Sequence, residues 1–124
     1  MRNLLIVFVL LFAGCDTTWQ NLQMRPDVAK EYVKAALVAQ KRYQRTYPVS
    51  KAKITDEKSF VKAAEPILFD VYGREEITEQ KPYTVGRADG YWVMWGHLWA
   101  DHGGVFYIIM EERTGKVIYL THSL

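Results

Sequence analysis

The chain has 124 residues, with 16 Lys and Arg against 14 Asp and Glu, a formal net charge of +2 and one cysteine. That balance leaves no basic footprint for nucleic acid, and a lone cysteine excludes an internal disulfide. The length suits one domain with a modest core.

Residues 1–15, MRNLLIVFVLLFAGC, place one cationic residue before an apolar run and then small residues. This is the pattern of a secretory signal, and it is too short for a typical spanning helix. Its end, Leu11-Phe12-Ala13-Gly14-Cys15, resembles the lipobox of bacterial lipoproteins. The resemblance implies cleavage before Cys15, acylation of that cysteine (palmitate among the chains) and a domain held to the membrane facing the periplasm. One acyl chain binds marginally and two signals suffice. Asp16 directly after it resembles an inner-membrane retention signal. A plain signal peptide with a chance cysteine is the alternative. The expected division is a signal peptide over 1–14, a tether over 15–24 and a single α+β domain over 25–124.

Pro26 suits a first helical position, and Asp27 and Glu31 place negative charge near the positive end of the dipole. Val28, Tyr32, Ala35, Ala36, Ala39 and Tyr43 recur at three- and four-residue steps, which predicts an amphipathic helix to about Thr46. Its polar face carries Lys30, Lys34, Lys41, Arg42 and Arg45, either solvated or laid on anionic lipid. Tyr47-Pro48 ends it. A second helix is predicted from a Thr55 cap, with Phe60, Ala63, Ala64, Ile67, Leu68, Val71 and Tyr72 as its apolar stripe and Gly73 as its stop. Pro66 is expected to kink or split it.

After Glu75, Glu76 and Glu79, Lys81-Pro82 leads into a short strand over 83–85, which the proline marks as an edge. Asp89-Gly90 signals a turn into a strand over 91–98. Trp92, Met94 and Leu98 share one face of it with Gly96, while Tyr91, Val93, Trp95, His97 and Trp99 share the other. The last hairpin closes at Glu112-Arg113-Thr114-Gly115-Lys116, with Gly115 supplying a positive φ. Alternation then pairs Met110 with Ile118, Ile108 with Leu120 and Phe106 with His122 on a core face, and Glu111 with Val117, Ile109 with Tyr119 and Tyr107 with Thr121 on the other. The element order predicts the α+β class, with N-terminal helices packed on one face of a curved antiparallel sheet of about four strands.

The ordered set Lys81-Pro82-Tyr83, Trp92-Val93, Gly103-Gly104-Val105-Phe106, Thr114-Gly115-x-Val117 and His122-Ser123 resembles the bacterial immunity proteins of the YbbC/YhhH type. The resemblance covers the C-terminal half of the chain. It implies a nuclear-transport-factor-like, cystatin-like cone, encoded beside Rhs and other polymorphic toxins. It further implies a protein that binds its toxin and has no enzymatic activity.

Three histidines, His97, His102 and His122, with Asp101, would gather at one end of the predicted sheet, but their spacing matches no metal-ligand signature. No metal, cofactor or small-molecule substrate is therefore expected. Trp95, His97 and Trp99 read either as core or as a binding hot spot. With both helices on the other face, Trp95, His97, Trp99, Asp101, His102, Tyr107 and Tyr119 make the candidate partner-binding surface, rimmed by Asp101, Glu111 and Glu112, which would favour a basic partner. The functional expectation is a lipid-anchored periplasmic immunity protein that occludes an Rhs or type VI secretion toxin. An envelope lipoprotein that inhibits a lysozyme or protease has the same binding logic and stays open. An isomerase using a carboxylate in the cone is disfavoured because Phe106, Ile108, Met110, Ile118 and Leu120 are apolar.

Overall fold

The computed structural model of the protein describes residues 20–99 and 103–123. Five strands form one sheet in the order of the chain: β1 (Leu22–Gln23), β2 (Thr84–Ala88), β3 (Tyr91–Trp95), β4 (Phe106–Glu111) and β5 (Val117–His122). The first pair is parallel and the rest are antiparallel. Three helices accompany it: α1 (Pro26–Tyr43), α2 (Glu57–Tyr72) and α3 (Arg74–Thr78). The α+β class agrees with the sequence reading.

One clause of that reading is corrected: the helices do not share a face. Phe60, Ala63, Ala64 and Leu68 of α2, with Ile77 of α3, are buried with Val85, Trp92, Met94, Phe106, Ile108, Met110 and Val117. Ala29, Val33 and Ala36 of α1 are buried instead with Met24, Val93, Ile109 and Ile118. Alternation along β3 and β4 puts these two sets on opposite faces, so the sheet lies between α1 and the α2–α3 pair. Gly86 is the reason that α1 can seat there. A Cβ at that position would come 2.7 Å from Met24 Cβ and 3.1 Å from Ala29 Cβ, closer than packed side chains approach. The helix lies against bare backbone.

The expected tether is shorter at its end, because Leu22 N–H donates to Tyr83 O at 2.7 Å and Met24 N–H to Val85 O at 2.8 Å. This added strand makes the sheet five-stranded and mixed, and it makes β2 an internal strand where an edge was expected. The helix α1 ends at Gln44, in the left-handed conformation, three residues before Tyr47. The cap of α2 is Asp56, not Thr55: Asp56 Oδ1 accepts from Ser59 N–H at 2.8 Å, and Asp56 N–H donates to Ser59 Oγ at 3.0 Å. That reciprocal pair satisfies two donors at once. Pro66 does not split α2, which is continuous through it. Lys62 and Pro66 are both exposed, so the carbonyl that loses its partner faces solvent.

Asp89 and Gly90 take φ of 53° and 82° and join β2 to β3 by a two-residue turn. Both positions need positive φ in that turn, which suits Asp-Gly. In the last hairpin the register runs as expected through Phe106–His122, Tyr107–Thr121, Ile108–Leu120 and Ile109–Tyr119. A bulge then pairs Met110 with Val117, and Ile118 turns to the α1 face. Gly115 takes φ 72°, and a Cβ there would collide with Ser50 O.

Candidate partner-binding surface

The α2 face is filled by large side chains. Phe60 stacks on Trp92 with ring centroids 5.5 Å apart, and Tyr83 meets Phe106 edge-on at 5.3 Å. Glu65 reaches this layer, where it accepts from Tyr83 Oη at 2.8 Å and lies 3.8 Å from Lys81 Nζ. Burial, and then that hydrogen bond, pushes the Tyr83 phenol well up from its ordinary value. At the turn end, Glu112 accepts from Arg87 at 3.0 Å and from Trp92 Nε1 at 2.9 Å. Those two donors hold its carboxyl below the usual range. Glu112 thus belongs to the α2 side and does not rim the predicted surface.

At the other end of this layer sits Gln80, which is 5% exposed. Its Oε1 accepts from Phe106 N–H at 2.9 Å, its backbone O from His97 N–H at 2.7 Å, and its Nε2 lies 3.1 Å from His122 Nε2. His122 is also 3.3 Å from Glu76 Oε1 and packs on the Tyr72 ring. This network is one of structural linkage, and Gly96 makes room for it, since a Cβ there would strike Gln80. His122 and His97 therefore do different work: His122 faces Glu76 and Gln80, and the His97 ring packs against Trp99 at 4.4 Å. Among the described residues no group of three His, Cys, Asp or Glu side chains is placed to hold a metal ion.

The α1 face is built differently. The helix lays Ala35, Ala36 and Ala39 over the strands that carry Tyr107, Ile109 and Tyr119, and alanines are too short to fill the space. With Tyr32, Thr121 and Ser123 they enclose a groove of about 430 Å³. Tyr32 closes one end, 4.9 Å from the Trp95 ring and 6.3 Å from the Tyr107 ring. A second hollow of about 350 Å³ adjoins through Ala39 and Tyr119 and is lined by Gln40, Tyr43, Arg45, Tyr47 and Ile118. Arg42 and Arg45 sit 5.6 and 5.8 Å from the Tyr43 ring centre. Neither is in an ion pair among the described residues.

Residues 59–123 match the family described as NTF2 fold immunity proteins, just over half of the chain. This chain belongs to that family. No curated protein and no solved structure matches it. Membership makes this an immunity protein whose role is to neutralise a toxin and whose implied partner is that cognate toxin. The matched residues of this immunity protein run from within α2 to the end of β5, so they contribute the strand wall of the groove. The α1 wall lies outside them.

Of the predicted site residues, Tyr107 and Tyr119 line the groove, and Trp95 supports it from below Tyr32 and Tyr107. The open aromatic face expected there is corrected: α1 covers it, and Trp95 is only partly exposed. His97 and Trp99 lie beyond the end of β3. Trp99 is 60% exposed and its indole donates to Lys81 O at 2.8 Å, with Leu98 beside it 50% exposed. Cys15, Asp101 and His102 lie outside the described residues. Glu111, expected at the rim, pairs with Tyr91 at the turn end of β3 and β4. Arg45 lines the adjoining hollow, so a cation stands there and not the acidic rim that was expected. Sequence reasoning missed Tyr32 and Tyr43 as surface because both fit the apolar stripe, whereas Arg45 was placed on the polar face. Three alanines at 35, 36 and 39 between two tyrosines were the available signal of a hollow.

Proposed function

We propose that this immunity protein is anchored by a lipid on Cys15, faces the periplasm from the inner membrane, and neutralises an Rhs or type VI secretion toxin by occluding it. The observation that carries the binding half is the groove between α1 and β4–β5. Its walls present half-exposed tyrosines on rigid elements, and such side chains give large contact area with little ordering cost. The role requires no turnover, only a stable interface that keeps substrate from the toxin.

The lipid half rests on the Leu11–Cys15 pattern and on reach. The stretch from Cys15 to Leu22, the first residue in the sheet, spans at most about 25 Å fully extended. An acylated Cys15 would hold the domain close to the bilayer surface. No helix among the described residues is long and apolar enough to cross a membrane. Cys15→Ala should therefore release the chain from the membrane fraction, and a firmly bound variant would remove the anchor from this account.

The functional test is protection. Cells that export the toxin domain encoded beside this gene to their periplasm should survive when they make the full chain. They should die when they make it without residues 1–14, which confines it to the cytoplasm. Equal survival with both forms would place the encounter in the cytoplasm instead.

A further inference from the structure

The two edges of the sheet are protected unequally. At one edge β1 has two residues, too short to template another strand. At the other, β5 has six. Its first residues are covered by the chain returning from α1: Val49 bridges Lys116, and Val117 N–H donates to Pro48 O at 3.4 Å. Among the described residues the bonded cover ends there.

The hydrogen bond from Ser123 N–H to Val105 O, 3.0 Å, sets the alternation of what remains. Stepping back by two residues, Thr121 and Tyr119 direct their N–H and C=O groups at β4, in register with Tyr107 and Ile109. Leu120 and His122 direct theirs outward. Among the described residues no hydrogen bond from outside the strands of the sheet reaches the backbone of either. Edge strands are ordinarily guarded by Lys, Pro or an inward charge, and residues 118–121 contain none of these.

Beside this open stretch lies the hollow lined by Tyr43, Arg45, Tyr47, Ile118 and Tyr119. A strand laid along β5 would project alternate side chains over it. There it would meet Arg45 and Arg42, two guanidinium groups flanking Tyr43 that are in no ion pair among the described residues. We infer that the free edge of β5 is a strand-addition site, which takes an extended, acidic segment of the toxin as a sixth strand. Backbone hydrogen bonds to Leu120 and His122 supply the affinity, and a carboxylate held by Arg45 and Arg42 sets the register. This rests on the immunity reading and specifies how the partner is held.

The test is amide hydrogen exchange, resolved residue by residue by NMR, on the chain alone and in complex with the toxin domain encoded beside its gene. The free chain should be monomeric, with fast exchange at Leu120 and His122. In the complex those two amides should slow by about 100-fold or more, with much smaller changes at Tyr119 and Thr121, which β4 already holds. Arg45→Glu, on an exposed side chain, should weaken the complex about tenfold or more. A tight complex with no slowing at Leu120 and His122 would overturn strand addition and leave the immunity reading intact. Slow exchange at both positions in a dimeric free chain would assign the edge to a second copy and overturn the inference. Failure of the two proteins to associate would overturn both readings.

Discussion

The two faces of this sheet are fed by the same alternating strands, and they end up in different physical states. On the α2 face, Phe60, Leu68 and Ile77 meet Trp92, Met94, Phe106 and Ile108, and the layer closes with all but Trp92 fully buried. On the α1 face the helix contributes Ala29, Val33 and Ala36 to the buried layer, and tyrosines stand where bulk would be needed to close it. The difference lies in the side chains that the helices bring, since the strands are apolar on both faces. Large residues make one face the source of stability. Small residues let α1 sit close at Gly86 and leave a hollow farther along, which is where the proposed recognition is placed.

Substitutions can break this contrast, and the largest effect is expected on the filled face. Phe60 is fully buried and stacked on Trp92, so Phe60→Ala should cost about 3–5 kcal/mol, a large fraction of the stability of a domain of this size. Chemical denaturation measures it. A loss under about 1 kcal/mol would mean that the α2 face is not the main core.

Trp95→Ala probes the boundary between the two states. Trp95 packs under Tyr32 and Tyr107 and is only partly exposed, so its removal should cost about 2 kcal/mol of stability and let both tyrosines collapse. Toxin affinity should fall with it. An unchanged melting temperature would show that α1 does not hold this tryptophan and that the face is open, as alternation alone suggests.

That alternation is also the measure of what was legible. Tyr107 and Tyr119 were readable as one surface because the Glu112–Lys116 turn pins the hairpin, and four of its pairs follow from parity. The bulge after Ile109 was not readable: an extra residue leaves every local preference satisfied, and only the turn of Ile118 to the α1 face reveals it. Likewise the periodicity of α1 shows a helix with an apolar stripe, but both sheet faces are apolar, so nothing local says which one it covers. The stripe was displaced by one position at its start, where Val28 and Tyr32 were read as core and Ala29 and Val33 are buried, while Ala36 was read correctly; at Ala29 the close approach to Gly86 suits the smallest side chain. Short elements escaped for a simpler reason: two residues of β1 and five of α3 are below the length at which a period can be seen. The Asp-Gly turn was visible because its chemistry is confined to two positions.

The smallest expected change in stability belongs to the sharpest test of the groove. Ala39 lines both hollows, touches neither buried cluster, and is only partly covered, so Ala39→Leu adds bulk to open space instead of forcing packed atoms apart. Stability should then change by no more than about 0.5 kcal/mol in either direction. Binding should respond much more. A leucine there occupies room between Tyr32 and Tyr43 that a partner would need, and a tenfold loss of toxin affinity, about 1.4 kcal/mol, is the expected minimum. Val38→Leu is the matching control, since Val38 is 62% exposed on the outer side of the same helix and should leave both quantities unchanged. If Ala39→Leu lowers the melting temperature markedly, the hollow is tighter than its volume indicates and α1 is a core helix. If both variants bind the toxin like the parent, recognition lies off this groove, and the exposed Leu98 and Trp99 beyond β3 become the surface to test.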